Sequence, residues 1–361
     1  MSGKPAESGS SRLGFLDPLR GILALCVAVY HLSVWFDLSR SGSGLNMATA
    51  MLGNYGVSGF FVLSGFLLFR TSDWARLRQE GVGHFWRRRF LRLAPVFYLA
   101  CGLNLAFRLG MGPQPSWRFV LENLTLTFGA FHPNHALATG GWYVGLVALL
   151  YIAYPGLAWL REKGGLAFLL ALAMGLWLWS LPSTLHGVMD QPQWNRFHTY
   201  VLAPNQLFLL AWGGLLAGLH SATRERLEPK VALLLSLPLL WILLAPSPEF
   251  FDHLVALTGW YRYRYLLVVT TLVALAAFSR DRAPGRVGKG LTRLGDWSYG
   301  LYLLHPFAML LVRPHLTGRA GFGLSLGLAV LAAAAVHRWI ETPLGRLGRA
   351  PQRPARDHPF L

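Results

Sequence analysis

Long apolar runs separated by short basic segments make up almost the whole chain, and each run is near the roughly 20 residues needed to cross a bilayer as a helix. The pattern predicts about ten spans: 15–36, 46–69, 91–111, 142–160, 165–182, 200–219, 231–245, 263–279, 297–315 and 320–340. The shortest, 231–245, also holds Pro238. A stretch at 117–128 (WRFVLENLTLTF) is too short to span and is expected to lie along the outer interface. The fold class expected is therefore an all-α integral membrane protein. A 1–14 tail precedes the 15–343 membrane domain, and a basic, disordered 344–361 tail follows it. Asp17 and Arg20 interrupt the first apolar run and no small-residue cleavage site follows it, so it reads as a retained helix.

Composition agrees. Of 361 residues 53% are hydrophobic and only 14% charged, against about a quarter in ordinary soluble domains. The formal charge of +17 raises the question of nucleic acid. The 33 lysines and arginines, however, concentrate in alternate connecting segments: Lys4 and Arg12, Arg70 to Arg92, Arg161 and Lys163, Arg224 to Lys230, Arg280 to Arg293, and Arg338 to Arg356. That distribution is the positive-inside signature, with both termini cytoplasmic, and no nucleic-acid partner is expected. Cys26 and Cys101 both fall in apolar runs and read as small hydrophobes.

The first run carries an arginine and a histidine where hydrocarbon should be. Arg20 and His31 stand eleven residues apart, on one stripe and separated by ~16 Å of helix. Such residues usually face a bundle interior or a watery cavity. Asp17-Pro18 opens that helix as cap and first residue, with Asp17 also in reach of Arg20. In the second run Gly56, Gly59, Ser64 and Gly65 let another helix come close. Arg89 and Arg92, with Arg88 beside them, form a cluster suited to phosphates, such as those of a coenzyme A thioester. Ser298, Tyr302 and His305 share a face next to the kink expected at Pro306. His132 and His135 form an HxxH with no acid or cysteine nearby in their loop, so no metal site is expected there. His186, Asp190, Trp194 and His198 are candidates to line an acceptor mouth.

Six stretches in order resemble the membrane acyltransferase-3 family: Arg20-Gly21 with His31, GVSGFFVLSGFLL, RRRFLRLAP, Trp142 with Tyr151 and Pro155, SYGLYLLHP, and Glu341-Thr342-Pro343. The resemblance implies a bacterial plasma-membrane enzyme that moves an acyl group from acyl-CoA, commonly acetyl-CoA, to a hydroxyl of a glycan, lipid-linked sugar or natural product. Acyl-CoA is then a co-substrate, and no bound cofactor is expected. It implies that Arg20, His31, Arg89 and Arg92 are functional; His31 is then the expected catalytic base, and Arg20, Arg89 and Arg92, with the neighbouring Arg88, are expected around the donor. Trp142, Ser298, Tyr302 and His305 would serve the acceptor or oxyanion, supported by Asp17 and Glu341. The chain departs from the family in the fourth span, WYVGLVALLYIAYP, where Val147 and Ala148 replace the usual acids. That absence leaves open a transporter or flippase for a glycan or lipid on the same scaffold. Cys26 as an acyl carrier is disfavoured, since it points about 140° away from His31.

Overall fold

The computed structural model describes residues 15–38, 44–108, 115–185, 193–223, 226–245, 259–280 and 285–348. The 1–14 tail, most of the 344–361 tail, His186 and Asp190 lie outside these residues, as does the side chain of Trp194.

Fifteen α-helices account for nearly all of them. In chain order they are α1 (Leu16–Trp35), α2 (Gly44–Thr71), α3 (Trp74–Glu80), α4 (Val82–Arg108), α5 (Trp117–Leu124), α6 (Phe128–Phe131), α7 (Gly141–Leu185), α8 (Gln193–Val201), α9 (Pro204–Ala222), α10 (Pro229–Leu244), α11 (Gly259–Phe278), α12 (Arg286–Asp296), α13 (Ser298–Val312), α14 (Gly318–Val336) and α15 (Thr342–Leu347). Among the described residues the only β pairing is one bridge, Leu227 with Ser279. Among the described residues seven helices are long and apolar enough to cross a membrane; α10 and α13 are shorter and apolar.

Three boundaries differ from the sequence reading. The fourth helix begins at Val82 instead of 91, so the arginines belong to the same helix that enters the apolar region. Pro95 sits inside it without ending it, because its missing N–H costs one hydrogen bond in a helix held by its neighbours. The expected fourth and fifth spans are joined in α7, which turns at Gly165 (φ 55°, ψ −138°), a left-handed position that suits glycine. At the C-terminal end helix continues through Leu347, past the expected start of the tail.

Apolar burial does not distinguish helix from lipid, so helices in a bilayer associate where small residues let backbones touch. The helix α1 is enclosed in this way. Gly56 and Gly59 of α2 meet Leu23 and Val27, while Ala24 and Ala28 pack with Leu301 and Ala308 of α13 and with Ala329 and Ala333 of α14. A Cβ on Gly21 would lie 2.7 Å from the Gly295 nitrogen, and one on Gly295 would strike the Asp17 carbonyl. This reciprocal glycine crossing of α1 and α12 brings Arg20 to the start of α13. Gly65 and Gly213 make the same kind of crossing between α2 and α9. Gly21→Leu should therefore force the helices apart at a cost of about 1–3 kcal/mol, seen as a lowered Tm. An unchanged Tm would mean that the crossing is slack.

Candidate active site

Parallel packing of α1 on α13 decides which polar side chains meet. Arg20 Nη2 donates to Ser298 Oγ at 3.4 Å, and farther along both helices His31 Nδ1 lies 2.9 Å from His305 Nε2. The interval is eleven residues on α1 and seven on α13, ~16 and ~10 Å of rise. The reach of the arginine side chain takes up the difference.

The second pairing fixes a tautomer. His305 Nδ1 lies 3.1 Å from the Leu301 carbonyl, which can only accept, so in the neutral pair Nδ1 carries the proton and Nε2 is an acceptor. His31 must then donate from Nδ1, and its Nε2 keeps a free lone pair. The two rings are nearly coplanar (4°), and Trp35 stacks on both at 5.1 and 5.8 Å. His305 is buried and His31 half-buried. A carbonyl and a second histidine thus orient His31 in the manner in which a carboxylate usually does.

Arg20, Arg89 and Arg92 line one cavity of about 100 Å³ with Ser64, Tyr143, Val147, Tyr151, Ser298, Tyr299, Tyr302 and a rim of Phe60 and leucines. Among the described residues no acidic side chain lines it. Asp17, in the first turn of α1, lies 3.6 Å from Arg20 and does not line the cavity. Arg89 donates to Ser72 Oγ at 2.9 Å and lies over the rings of Phe85 and Tyr151. Arg92 is exposed and has neither a carboxylate nor a hydrogen-bond partner among the described residues.

The remaining candidates stand elsewhere. Arg88 is bound to Glu80 at 2.7 Å and does not line the cavity. Burial alone would raise the Glu80 carboxyl, but hydrogen bonds from Arg76 and Arg88 hold it below the usual carboxylate range. Trp142 is buried against Phe61 and Tyr200, off the cavity wall. Glu341 lies 3.1 Å from His337, in a π-type turn after α14, so it does not orient His31. The cavity ends at Tyr302, one turn before His305, and neither histidine lines it. The edge-on cluster of Phe60, Tyr143 and Tyr302 closes that end, with ring centroids 5.7–6.3 Å apart. His198 stands on α8, apart from this cavity.

Sequence reading missed Tyr143 and named Tyr151 only as part of the family resemblance, without a place in the site. They flank Val147 at four-residue intervals, so one stripe of α7 faces the arginines, and the position expected to hold an acid in the family is apolar but faces the cavity. Ser64 Oγ and the Tyr143 hydroxyl are 2.7 Å apart. The Tyr302 hydroxyl donates to the carbonyl of Gly140 at 2.7 Å, and Gly140 holds a φ of 77°. Tyr302→Phe should remove one of two hydrogen bonds to that carbonyl, which also accepts from the Tyr143 nitrogen at 3.3 Å, and cost about 0.5–1.5 kcal/mol in stability. Thermal unfolding in detergent measures it, and an unaltered Tm would mean water replaces the hydroxyl.

The described residues thus form a helical membrane bundle in which a basic cavity ends one turn short of an imidazole pair. A family profile described as "Acyltransferase domain" matches residues 13–338, and the chain belongs to this acyltransferase-3 family. Among curated relatives, it is 25% identical to the peptidoglycan O-acetyltransferase OatA of Listeria monocytogenes, over 92% of this chain and 56% of that protein. It is 26% identical to the acyltransferase MdmB of Streptomyces mycarofaciens, over 93% and 92%. It is 25% identical to the exopolysaccharide production protein ExoZ of Rhizobium meliloti, over 83% and 92%. The chain thus spans little more than half of OatA but nearly all of the other two. No solved structure matches.

Proposed function

We propose that this acyltransferase moves an acyl group, acetyl foremost, from acyl-CoA to a hydroxyl of a glycan, lipid-linked sugar or natural product. The donor's phosphates bind at Arg20, Arg89 and Arg92. The pantetheine arm follows α13 toward His31, and the acceptor enters from the opposite side. The observation that carries this reading is three guanidiniums on a cavity wall without a carboxylate among the described residues, whose far end at Tyr302 lies one helical turn from His305, the partner that leaves His31 Nε2 free to take a proton. Two relatives, named as a peptidoglycan O-acetyltransferase and an exopolysaccharide production protein, support a glycan acceptor, and the bacterial sources of all three support a bacterial membrane. In the proposed topology the break at Gly165 divides α7 into two crossings, and α10 and α13 cross as well. That gives ten spans with both termini cytoplasmic, in line with the arginine distribution.

In the reaction the acceptor oxygen attacks the thioester carbon as His31 Nε2 takes its proton. The carbon–sulfur bond then breaks, and the coenzyme A thiolate leaves and recovers that proton. The transient imidazolium is steadied by its hydrogen bond to His305 and by the face of Trp35. At about 100 Å³ the cavity is smaller than the ~300–1,000 Å³ of small-molecule pockets, so Phe60 and Tyr302 must part for the arm to pass. Purified protein given acetyl-CoA and a panel of hydroxyl acceptors should release free coenzyme A thiol only when an acceptor is present. If no acceptor elicits thiol release, the transporter reading takes its place.

A further inference from the structure

A second group of chemically apt side chains lies ahead of α7, away from the arginine cavity. Glu122 of α5, His132 and His135 each offer one ligand atom, and these atoms all lie within 4.8 Å of one another. The loop sequence gives the two histidines no acidic neighbour, but the fold supplies one. The buried Asn123 side chain donates to the carbonyls of Phe119 (2.8 Å) and His135 (2.9 Å) and accepts from the Leu137 nitrogen (2.9 Å). One amide thereby staples the Pro133–His135 turn onto α5. Gly129 of α6 sits against the backbone of Gly145, which seats the same segment on α7.

The carboxylate is already oriented. Arg118 holds Glu122 Oε1 at 3.0 Å, and Oε2 is turned to His132 Nδ1 at 3.1 Å. Outer partners of metal-bound carboxylates do the same. The His132 and His135 rings stack at 4.8 Å. His135 Nδ1 is buried with no hydrogen-bond partner among the described residues, and so is Nδ1 of His198 on α8, which packs against this turn. Buried polar atoms are seldom left so.

We propose that Glu122, His132 and His135 bind one divalent transition-metal ion of the zinc class, with the remaining position open to water. Two imidazoles and one carboxylate are zinc donors, whereas calcium and magnesium prefer oxygen alone. At Zn–ligand distances of ~2.0–2.2 Å, tetrahedral ligand atoms stand about 3.3 Å apart. The Glu122–His132 spacing meets this, and the widest pair closes by about 1.5 Å through side-chain rotation. Binding displaces the proton that His132 Nδ1 donates to Glu122. The ion clasps α5 to the turn five residues before Gly140, the residue whose carbonyl takes the Tyr302 hydroxyl.

The test uses untagged full-length protein in detergent, stripped with chelator and dialysed against zinc. Elemental analysis should find one zinc per chain. Cobalt in its place should show the intense visible bands of a four- or five-coordinate ion. Glu122→Gln and His135→Gln should each abolish both signals while acetyl-CoA binding persists. Zinc that survives His135→Gln, or no zinc above a background sample, overturns the proposal. So does a cobalt spectrum of the wild-type protein typical of six oxygen ligands, a result that needs no variant to fold.

Discussion

His31→Ala should lower kcat/KM for acyl transfer by about 10²–10⁴-fold, the usual worth of a positioned general base, while the acyl-CoA Kd stays within about twofold. The expectation follows from one chain of hydrogen bonds. The Leu301 carbonyl fixes the proton on His305 Nδ1, His305 Nε2 draws the His31 Nδ1 proton, and His31 Nε2 is left basic. His305→Ala should cause a smaller loss, since the base survives but its tautomer and ring orientation are no longer set. His31→Ala with wild-type turnover would remove the imidazole from the mechanism; equal losses in both variants would mean that the pair acts as a unit. Stopped thiol-release assays with the two variants and their double mutant separate these outcomes.

Arg92→Ala should raise the acyl-CoA Kd about tenfold or more, since charged hydrogen bonds to phosphate are each worth about 1.5–3 kcal/mol. Its guanidinium has no hydrogen-bond or carboxylate partner among the described residues, so the variant should unfold at the wild-type temperature. Arg89→Ala should weaken binding similarly but also lower Tm. Its side chain holds Ser72 and lies over Phe85 and Tyr151 where α2, α4 and α7 converge. In the same region Tyr154 donates to the carbonyls of Leu68 and Ser72, and Arg161 to that of Phe69. Both affinities should fall with added salt, because the contacts are partly exposed. Calorimetry with a non-reactive CoA thioether gives the constants; no change for Arg92→Ala would reduce the cluster to a topology signal.

What was legible in the sequence was whatever a single helix could report. Arg20 and His31 stand out because a charge and an imidazole are costly inside an apolar run, and their spacing alone put them on one stripe. The identity of His31's partner was not legible. His305 is 274 residues away, and only the small-residue packing of α1 against α13 brings the two together. Neither Tyr143 nor Tyr151 was assigned to the site because aromatic residues are common in membrane helices, and it takes a facing arginine to tell a cavity wall from a belt. The expected span began only at 91 because the charges before it argue against a crossing, yet a helix can extend beyond the bilayer edge, and α4 starts at Val82. Asp17 read as a cap from its place before Pro18, but the helix starts one residue earlier and the carboxylate turns to Arg20. Glu122 joins His132 and His135 through the Asn123 staple, a tertiary contact with no local pattern.

The central claim is that donor and base share one groove along α13. A structure determined with a non-hydrolysable acyl-CoA analogue tests it most directly. The account predicts the nucleotide phosphates on Arg89 and Arg92, Phe60 and Tyr302 parted, and the acyl carbonyl beside His31 with room for a hydroxyl on Nε2. A nucleotide bound elsewhere, or an acyl group that stops on the arginine side of an unmoved Tyr302, would contradict it.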